Sequence, residues 1–391
     1  MPRELEPGAI LCKQGEVSAE IYILQEGHLE VLVKDKRGRD KKISEIKDKS
    51  SIFGEIGAIL KQPRSATIRA VSHSVVQNID VKKKALDETI LGQPRLGLSI
   101  SLNLAKYIKD TNAKLGRYTQ FLNEIRKAID GYLLTYYQKS KALGDLFDQT
   151  HFSWAKSIFD KAKSHICYGM GEGVSRGQEV VSGPPPAPPP PPPSEAPPTG
   201  AGAKQYNTGE ILCREGEEGR EIFILQSGSL DVQIGGRKVA EIKDKGAVIG
   251  EVAVLAGYAS RKFEPRSATL MARESSGVVV IDGTKLEVVI AANPQLILFI
   301  TKILSERLPI TNGSLLAADD QIKKYLALID TVSVTSMTLI NAFEVLLHSL
   351  QSGARDKPQT EGWDREVDTT LSELKERARD LNAAYEQVSK Q

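Results

Sequence analysis

Two stretches with one shared pattern decide the fold of this chain: FGEIGAILKQPRSATIRA at residues 53–70 and IGEVAVLAGYASRKFEPRSATLMA at residues 249–272. Each has a Gly-Glu step, a short apolar helical segment, a loop, and Pro-Arg-Ser-Ala-Thr leading into a predicted strand. A helix that begins at a loop offers unpaired backbone N–H groups and its positive dipole end, which favour an anion. The arginine suits a phosphate, and the glutamate needs a hydroxyl donor. The pattern therefore predicts a ligand with a phosphate and a sugar hydroxyl.

Both stretches belong to an internal duplication. The segment GAILCKQGE recurs as GEILCREGE at an offset of 201, EIKDK recurs at 196 and PRSAT recurs at 202. The runs IYILQEGHLEVLV and IFILQSGSLDVQI are rich in β-branched residues and broken by glycine, which predicts short strands joined by tight turns. We therefore predict an α+β chain with two jelly-roll β-barrels, each followed by a helical stretch, at residues 82–114 and 284–308.

A proline-rich segment divides the two copies. Eleven of the 19 prolines lie within residues 183–198, where they favour an extended polyproline II rod. We expect a semi-rigid spacer that holds the barrels apart, with a ligand for an SH3- or WW-like partner as the alternative. The predicted domains are a first barrel domain at 1–112, a helical extension at 113–181, a Pro-rich linker at 182–203, a second barrel domain at 204–313 and a helical C-terminal region at 314–391.

The helical regions carry apolar stripes at spacings of three and four residues. The first stripe runs through Tyr118, Leu122, Ile125, Ile129, Tyr132 and Tyr136, and the last through Leu371, Leu374, Ala378, Leu381, Tyr385 and Val388. Three heptads are marginal for a coiled coil. The last stripe is therefore expected to pack against its own domain, or else to join two copies into a homo-oligomer or bind a partner.

The duplicated pattern resembles the phosphate-binding cassette of the cyclic nucleotide-binding domain family, FGE-[IL]-x-x-[IL] followed by PR-[AST]-A-T. The resemblance implies that the glutamate accepts a hydrogen bond from a ribose 2′-OH, and that the arginine and backbone amides of the turn bind the cyclic phosphate. The candidate ligand-binding residues are Gly54, Glu55, Ile56, Gly57, Arg64, Ser65 and Ala66 in the first copy and Gly250, Glu251, Val252, Ala253, Arg266, Ser267 and Ala268 in the second. The implied ligand is cAMP or cGMP. Since Ser65 and Ser267 suit either base, cAMP is favoured only by its frequency in the family.

The second copy departs from the pattern. Its Glu251-to-Arg266 spacing is 15 residues against nine in the first copy, and Ile249 replaces the usual aromatic residue. We expect the longer loop, GYASRKFE, to weaken the second site because its extra residues must be ordered on binding. Arg261 and Lys262 in that loop are candidates to approach the phosphate.

Composition excludes several classes of protein. The chain has 52 Lys+Arg against 50 Asp+Glu, which argues against a nucleic-acid coat or an anionic-membrane binder. Residues 314–391 have 9 basic and 13 acidic side chains, a balance that disfavours DNA. Three cysteines without a CxxC pair, and histidines without metal spacing, predict no metal. The most apolar stretch is interrupted by Glu287, Asn293 and Pro294, and no secretory signal is visible. The expectation is a cytoplasmic protein without a membrane partner.

These observations favour a non-enzymatic cyclic nucleotide sensor that transmits ligand binding through the helices after the barrels to a partner protein. A structural scaffold built on the same folds is the alternative, and a transcription regulator is a weaker one. A kinase regulatory subunit would need an inhibitory segment ahead of the first barrel, whose repeat already begins by Pro7. We therefore expect this chain not to be one.

Overall fold

The structure is a computed structural model of the full chain, which describes residues 2–35, 37–79, 86–151, 153–181, 204–260, 262–353 and 363–389. The Pro-rich linker at 182–203 and Arg261 of the inserted loop lie outside these residues, so the polyproline II rod and the approach of Arg261 to the phosphate stay predictions. The described residues confirm the α+β class, with two antiparallel barrels and long helices.

The first barrel is made of two four-stranded antiparallel sheets. One sheet has the order β1-β8-β3-β6 and the other β2-β7-β4-β5, so strands distant in sequence pair with each other, as in a jelly roll. Its strands are β1 Pro2–Leu5, β2 Ile10–Cys12, β3 Ile21–Glu26, β4 Leu29–Lys34, β5 Asp40–Ile46, β6 Ile52–Phe53, β7 Thr67–Ala70 and β8 Ser74–Ile79. Residues such as Leu24, Leu29 and Val76 are fully buried between the sheets.

The second barrel repeats this topology strand for strand. Its sheets have the orders β9-β16-β11-β14 and β10-β15-β12-β13, which match the first barrel with eight added to every strand number. The strands are β9 Lys204–Tyr206, β10 Ile211–Cys213, β11 Glu221–Ser227, β12 Leu230–Ile234, β13 Arg237–Ile242, β14 Val248–Ile249, β15 Thr269–Ala272 and β16 Ser276–Asp282. The shorter hairpin in this copy closes on Gly235 and Gly236, both with positive φ, as a two-residue turn requires.

Helices follow each barrel, as the apolar periodicity predicts. The helices are α1 Glu55–Leu60, α2 Leu86–Gly92, α3 Pro94–Thr150, α4 Ser153–Lys163, α5 Ile166–Ser175, α6 Glu251–Ser260, α7 Leu286–Ala292, α8 Pro294–Gly353 and α9 Trp363–Ser389. Taken singly, none of the helices in the described ranges is long and apolar enough to cross a membrane. The bent pair Gly283–Ala292 and Pro294–Val332 reaches that length and composition when the two are counted together.

The described chain divides into two compact units, and one of them contains both barrels. This unit takes in Met1–Lys114 and Pro188–Ser314. Within it, α3 and α8 meet through equivalent residues: the Ser101 and Thr301 hydroxyls lie 2.7 Å apart, and a Cβ at Gly97 would lie 3.3 Å from Ile297. Contact between equivalent positions is the mark of a two-fold interface, here between the halves of one chain.

The prediction that the linker holds the barrels apart is therefore wrong. One apolar cluster joins residues of both halves, including Ile21 and Ile90 of the first and Ile297 and Leu304 of the second. Small residues on α3 let α8 approach closely. The burial of hydrophobic area between the two helices stabilises their contact, whatever separation the composition of the linker favours.

The other unit is helical and takes in Leu115–Ala187 and Leu315–Gln391. Its core includes Tyr132 and Tyr136, which are almost fully buried, together with Leu371, Leu374 and Leu381 of α9. The stripe of α9 thus packs within its own unit, which was one of the two predicted uses for it. Homo-oligomerisation through this helix stays a prediction.

Candidate functional site

The turn that opens α1 depends on a glycine. Gly54 follows strand β6 with φ of 83°, a left-handed conformation that side chains rarely adopt. A Cβ at this position would lie 2.7 Å from Nη1 of Arg64 and 3.1 Å from the carbonyl oxygen of Glu20. Only glycine therefore lets the chain turn while the arginine passes directly beneath it. Gly250 has the same φ in the second barrel, and a Cβ there would lie even closer to Nη1 of Arg266.

Arg64 is buried and held from several sides. Its Nη1 donates to the carbonyl oxygen of Gly54 at 2.6 Å, and its Nη2 donates to the carbonyl oxygen of Glu20 at 2.7 Å and to Oγ of Ser18 at 3.0 Å. The guanidinium also lies over the ring of Tyr22, 5.6 Å from its centroid. Its Nε is buried without a hydrogen-bond partner. The cation is thus fixed in place while its Nε remains available to an acceptor.

Glu55, the first residue of α1, is a buried carboxylate with an unsatisfied oxygen. Its side chain is only 4% exposed, and its Oε2 is buried without a hydrogen-bond partner. Burial raises the pKa of Glu55 to about 7, and the nearby Arg64 opposes the shift. A buried acceptor without a partner costs about 1–3 kcal/mol. The site therefore offers an acceptor that a hydroxyl donor would satisfy.

The two groups share one pocket of about 670 Å³, counting the space at its mouth. All seven residues predicted for the first site line it, namely Gly54, Glu55, Ile56, Gly57, Arg64, Ser65 and Ala66. Apolar strand residues, among them Val31, Ile43 and Ile68, form another wall. This combination of an apolar lining with a few convergent polar groups is typical of small-molecule sites. The ligand-binding role of these residues stays a prediction.

Among the lining residues that sequence reasoning missed, four come from the long helices. Tyr107 and Thr111 come from α3, while Leu308 and Asn312 come from α8 of the second half. The hydroxyl of Thr111 donates to Oδ1 of Asn312 at 3.4 Å, so both halves of the chain contribute to this wall. The repeated Thr-Asn pair, at 111–112 and 311–312, was the available signal. It could be interpreted only once the packing of α3 on α8 was known.

The phenol of Tyr107 is close to Glu55. Burial raises the pKa of Tyr107, and the Glu55 carboxylate raises it further. Tyr107, which lines the same pocket as Glu55, therefore stays neutral.

The second site places its residues in the same order with different partners. Glu251 is 1% exposed and forms an ion pair with Arg307 of α8. Arg266 donates from Nη2 to the carbonyl oxygen of Glu221 at 2.5 Å and lies 3.4 Å from the Glu221 carboxylate. Nε and Nη1 of Arg266 and Oε2 of Glu251 are buried without hydrogen-bond partners. Val252, Ala253 and Ala268 are half-buried, and Ser267 is exposed.

The inserted residues of the second copy lengthen a helix. The expected long loop is wrong for residues 257–260, because α6 runs from Glu251 to Ser260 where α1 has only six residues. The hydroxyl of Tyr258 donates to Glu287 of α7 at 2.8 Å, and the ring of Phe263 lies against the guanidinium of Arg220. Apolar packing and these contacts favour continued helix over an open loop. The predicted weakening of the second site by this insertion stays untested.

No cluster of three or more histidine, cysteine or acidic side chains suited to a metal ion occurs in the described part of the chain. The three cysteines are all buried free thiols.

Comparison with known proteins finds one family model that matches a segment of each barrel. The family model "Cyclic nucleotide-binding domain" matches residues 2–86 and 203–293. A curated cGMP-dependent protein kinase of Toxoplasma gondii is 26% identical over 317 residues, which cover 81% of this chain and 23% of the kinase. The cAMP-activated global transcriptional regulator of Escherichia coli is 30% identical over 107 residues, 27% of this chain and 50% of the regulator. The chain thus spans half or less of each of these relatives.

Among solved structures, the regulatory domain of Toxoplasma gondii PKA crystallised with cAMP is 15% identical to this chain. The match covers 78% of this chain and 84% of that domain, with a TM-score of 0.22.

Proposed function

We propose that this chain, which belongs to the cyclic nucleotide-binding domain family over residues 2–86 and 203–293, binds a cyclic nucleotide in its first barrel and acts as a regulator without catalytic activity. The observation that carries the proposal is the pair of unsatisfied buried atoms in one pocket, Oε2 of Glu55 and Nε of Arg64. A phosphate would accept from the arginine, and a ribose hydroxyl would donate to the glutamate. A cyclic nucleotide carries a phosphate and a ribose hydroxyl at a fixed separation. One ligand would therefore supply a hydrogen-bond partner to each of the two buried atoms.

The composition of the pocket wall supports a route by which ligand binding would be transmitted. Because Leu308 and Asn312 belong to α8, a ligand in the first barrel also contacts the second half of the chain. A ligand that prefers one arrangement of α3 and α8 shifts the population toward that arrangement. Both helices run on to residues 150 and 353, and we propose that a partner protein detects the change there.

The choice of nucleotide rests on the family rather than on the pocket. Among the relatives, the transcriptional regulator is named for cAMP and the kinase for cGMP. The hydroxyl of Thr111 and the amide of Asn312 can each donate and accept a hydrogen bond, so they suit either purine. We propose cAMP as the preferred ligand, with cGMP as the comparison in every assay.

Titration calorimetry of the full chain with cAMP and with cGMP tests the proposal. Replacing Arg64 by alanine removes a charged hydrogen-bond donor worth about 1.5–3 kcal/mol, so affinity should fall about 10- to 150-fold. Arg69→Ala is the matched control, because Arg69 lies on β7 of the same barrel and pairs with Glu30 outside the pocket. It should leave the affinity unchanged.

Two results would contradict the proposal. If wild-type protein binds neither nucleotide, the fold serves as a scaffold. If Arg64→Ala binds as well as wild type, the ligand occupies a different site.

A further inference from the structure

The glutamates that open α1 and α6 have different neighbours on the long helices. α3 and α8 each begin at a proline, and Tyr107 and Arg307 both lie 13 residues after it, at equivalent positions. Tyr107 lines the same pocket as Glu55 and interacts with its carboxyl. Arg307 forms an ion pair with Glu251, and the two side chains are 17% and 1% exposed. One glutamate is therefore beside a neutral phenol and the other beside a guanidinium.

Glu55 is buried with little positive charge to balance it. Its side chain is 4% exposed. Among the residues that the structure describes, Arg64 is the only cation that acts on its carboxyl, and this guanidinium donates from both Nη atoms to the carbonyl oxygens of Gly54 and Glu20. Removing a carboxylate from water favours its protonated form unless nearby charges or donors compensate. Burial accordingly raises the pKa of Glu55 to about 7.

The other ionisable groups around Glu55 do not change this balance. Cys12 of β2 and Tyr107 of α3 line the pocket, and burial raises the pKa of both, so they stay neutral near pH 7. Asp48 and Asp110 act on Tyr107 and are acidic, so they add no cation. The residues that α8 contributes to the pocket are uncharged. Of the lining residues, Glu55 is therefore the one whose charge changes near neutral pH.

Glu251 is in the opposite situation. An opposite charge in direct contact favours the ionised carboxylate, and a pair this well shielded from water is screened little by salt. Its Oε2 is buried without a hydrogen-bond partner, as is that of Glu55, so the second site also keeps an acceptor for a ligand. The two barrels thus differ in the charge of this acceptor rather than in its presence.

We propose that Tyr107 and Arg307 are positioning residues that give the two sites different responses to pH: a cyclic nucleotide displaces a proton from the glutamate of the first site and none from that of the second. The proton passes from the Glu55 carboxyl to solvent, and the ribose hydroxyl then donates to the ionised oxygen. A hydrogen bond to the charged form favours that form. Affinity at the first site therefore rises with pH and levels off once Glu55 is ionised without ligand. This inference rests on the proposed function and takes a cyclic nucleotide as the ligand of both barrels.

Titration calorimetry of the full chain with cAMP, in buffers of different ionisation enthalpy, counts the protons released on binding. Arg266→Ala isolates the first site and Arg64→Ala isolates the second. At pH 6 the first site should release about one proton, and it should bind about tenfold more weakly than at pH 8, because most of the Glu55 carboxyl must first lose its proton. The second site should release none and bind equally at both pH values.

Exchanging the charge at the two positions should exchange this behaviour. Tyr107→Arg should abolish proton release at the first site, whereas Tyr107→Phe, the matched neutral control, should keep it. Arg307→Met should create proton release at the second site, whereas Arg307→Lys, which keeps the cation, should not. The two pairs are independent, so the failure of one variant to fold leaves the other pair to decide.

The outcomes separate the two proposals. A first site that binds equally at pH 6 and pH 8, a second site that releases a proton, or Tyr107→Arg that still releases one overturns the inference and leaves the proposed function in place. If neither site binds nucleotide, the proposed function fails, and hydrogen exchange without ligand still decides the protonation of Glu55. The opening free energy of β3 should then fall from pH 6 to pH 8 more in wild-type protein than in Tyr107→Arg. An equal fall in both would refute the role of position 107.

Discussion

Replacing Glu55 by glutamine is expected to remove a pH dependence from the stability of the first barrel. Burial raises the pKa of Glu55 from its ordinary value of 4.5 to about 7 in the folded protein. Between these values the folded state keeps a proton that the unfolded chain has lost. The free energy of unfolding therefore falls as the pH rises through this window and levels off above it. Glutamine has nearly the same shape and cannot ionise, so the variant should lack this contribution.

The magnitude follows from the size of the shift. At 1.36 kcal/mol per unit of pKa, the whole shift corresponds to about 3 kcal/mol, most of which falls between pH 5 and pH 8. Wild-type protein should lose that much stability relative to Glu55→Gln over this range. Saturating cAMP should reduce the difference, because a hydroxyl that donates to Glu55 favours the ionised carboxylate.

Hydrogen exchange measured by mass spectrometry suits this prediction. The only tryptophans, Trp154 and Trp363, lie outside the barrel sequences, so the exchange of amides in β3 and β8 reports on the first barrel more directly than fluorescence. Glu26→Gln, at an exposed end of β3, is the control and should follow wild type. If the opening free energies of wild type and Glu55→Gln change in parallel from pH 5 to pH 8, the raised pKa and the reasoning built on it are wrong.

Three other outcomes can be checked with the same protein. A cyclic nucleotide without its 2′-OH should bind wild-type protein about 10- to 150-fold more weakly than the parent nucleotide does. The two nucleotides should bind Glu55→Ala equally well, and additive losses in calorimetry would contradict a hydrogen bond between Glu55 and the 2′-OH. Asn312→Ala should weaken binding at the first site about 2- to 10-fold, although the residue lies in the second half of the chain. Unchanged affinity would exclude Asn312 from the site. A chain cut by protease within residues 182–203 should still elute as one particle in gel filtration, because α3 packs on α8, and separate elution of the halves would refute this packing.

Local sequence was enough to predict the duplicated barrels and to single out seven residues that line the first pocket. Gly54, Glu55 and Arg64 lie within 11 residues of each other, and their types are dictated by one turn and one helix start. The left-handed glycine, the helix that follows it and the strand after Pro-Arg-Ser-Ala-Thr all form from short-range preferences. Such features repeat wherever the local pattern repeats, which is why the same turn occurs at Gly250.

The difference between the two sites could not be predicted this way, since it depends on contacts between distant segments. Residue 307 follows Glu251 by 56 positions, and nothing in the local pattern indicates that its guanidinium reaches that carboxylate. The second cassette therefore matches the local pattern, while the partner of its glutamate comes from a distant helix.

The sequence by itself determined that this chain has two copies of a barrel with a Gly-Glu turn and a buried arginine, because those features arise from residues close together along the chain. The tertiary structure alone decided that the copies pack on each other through α3 and α8, with Asn312 of one half in the pocket of the other. The proline-rich composition of the linker argued for separation, but linker composition limits only how far apart the halves can be. Their association is decided by the apolar surface that each helix has left to bury, and that surface exists only after both helices have formed.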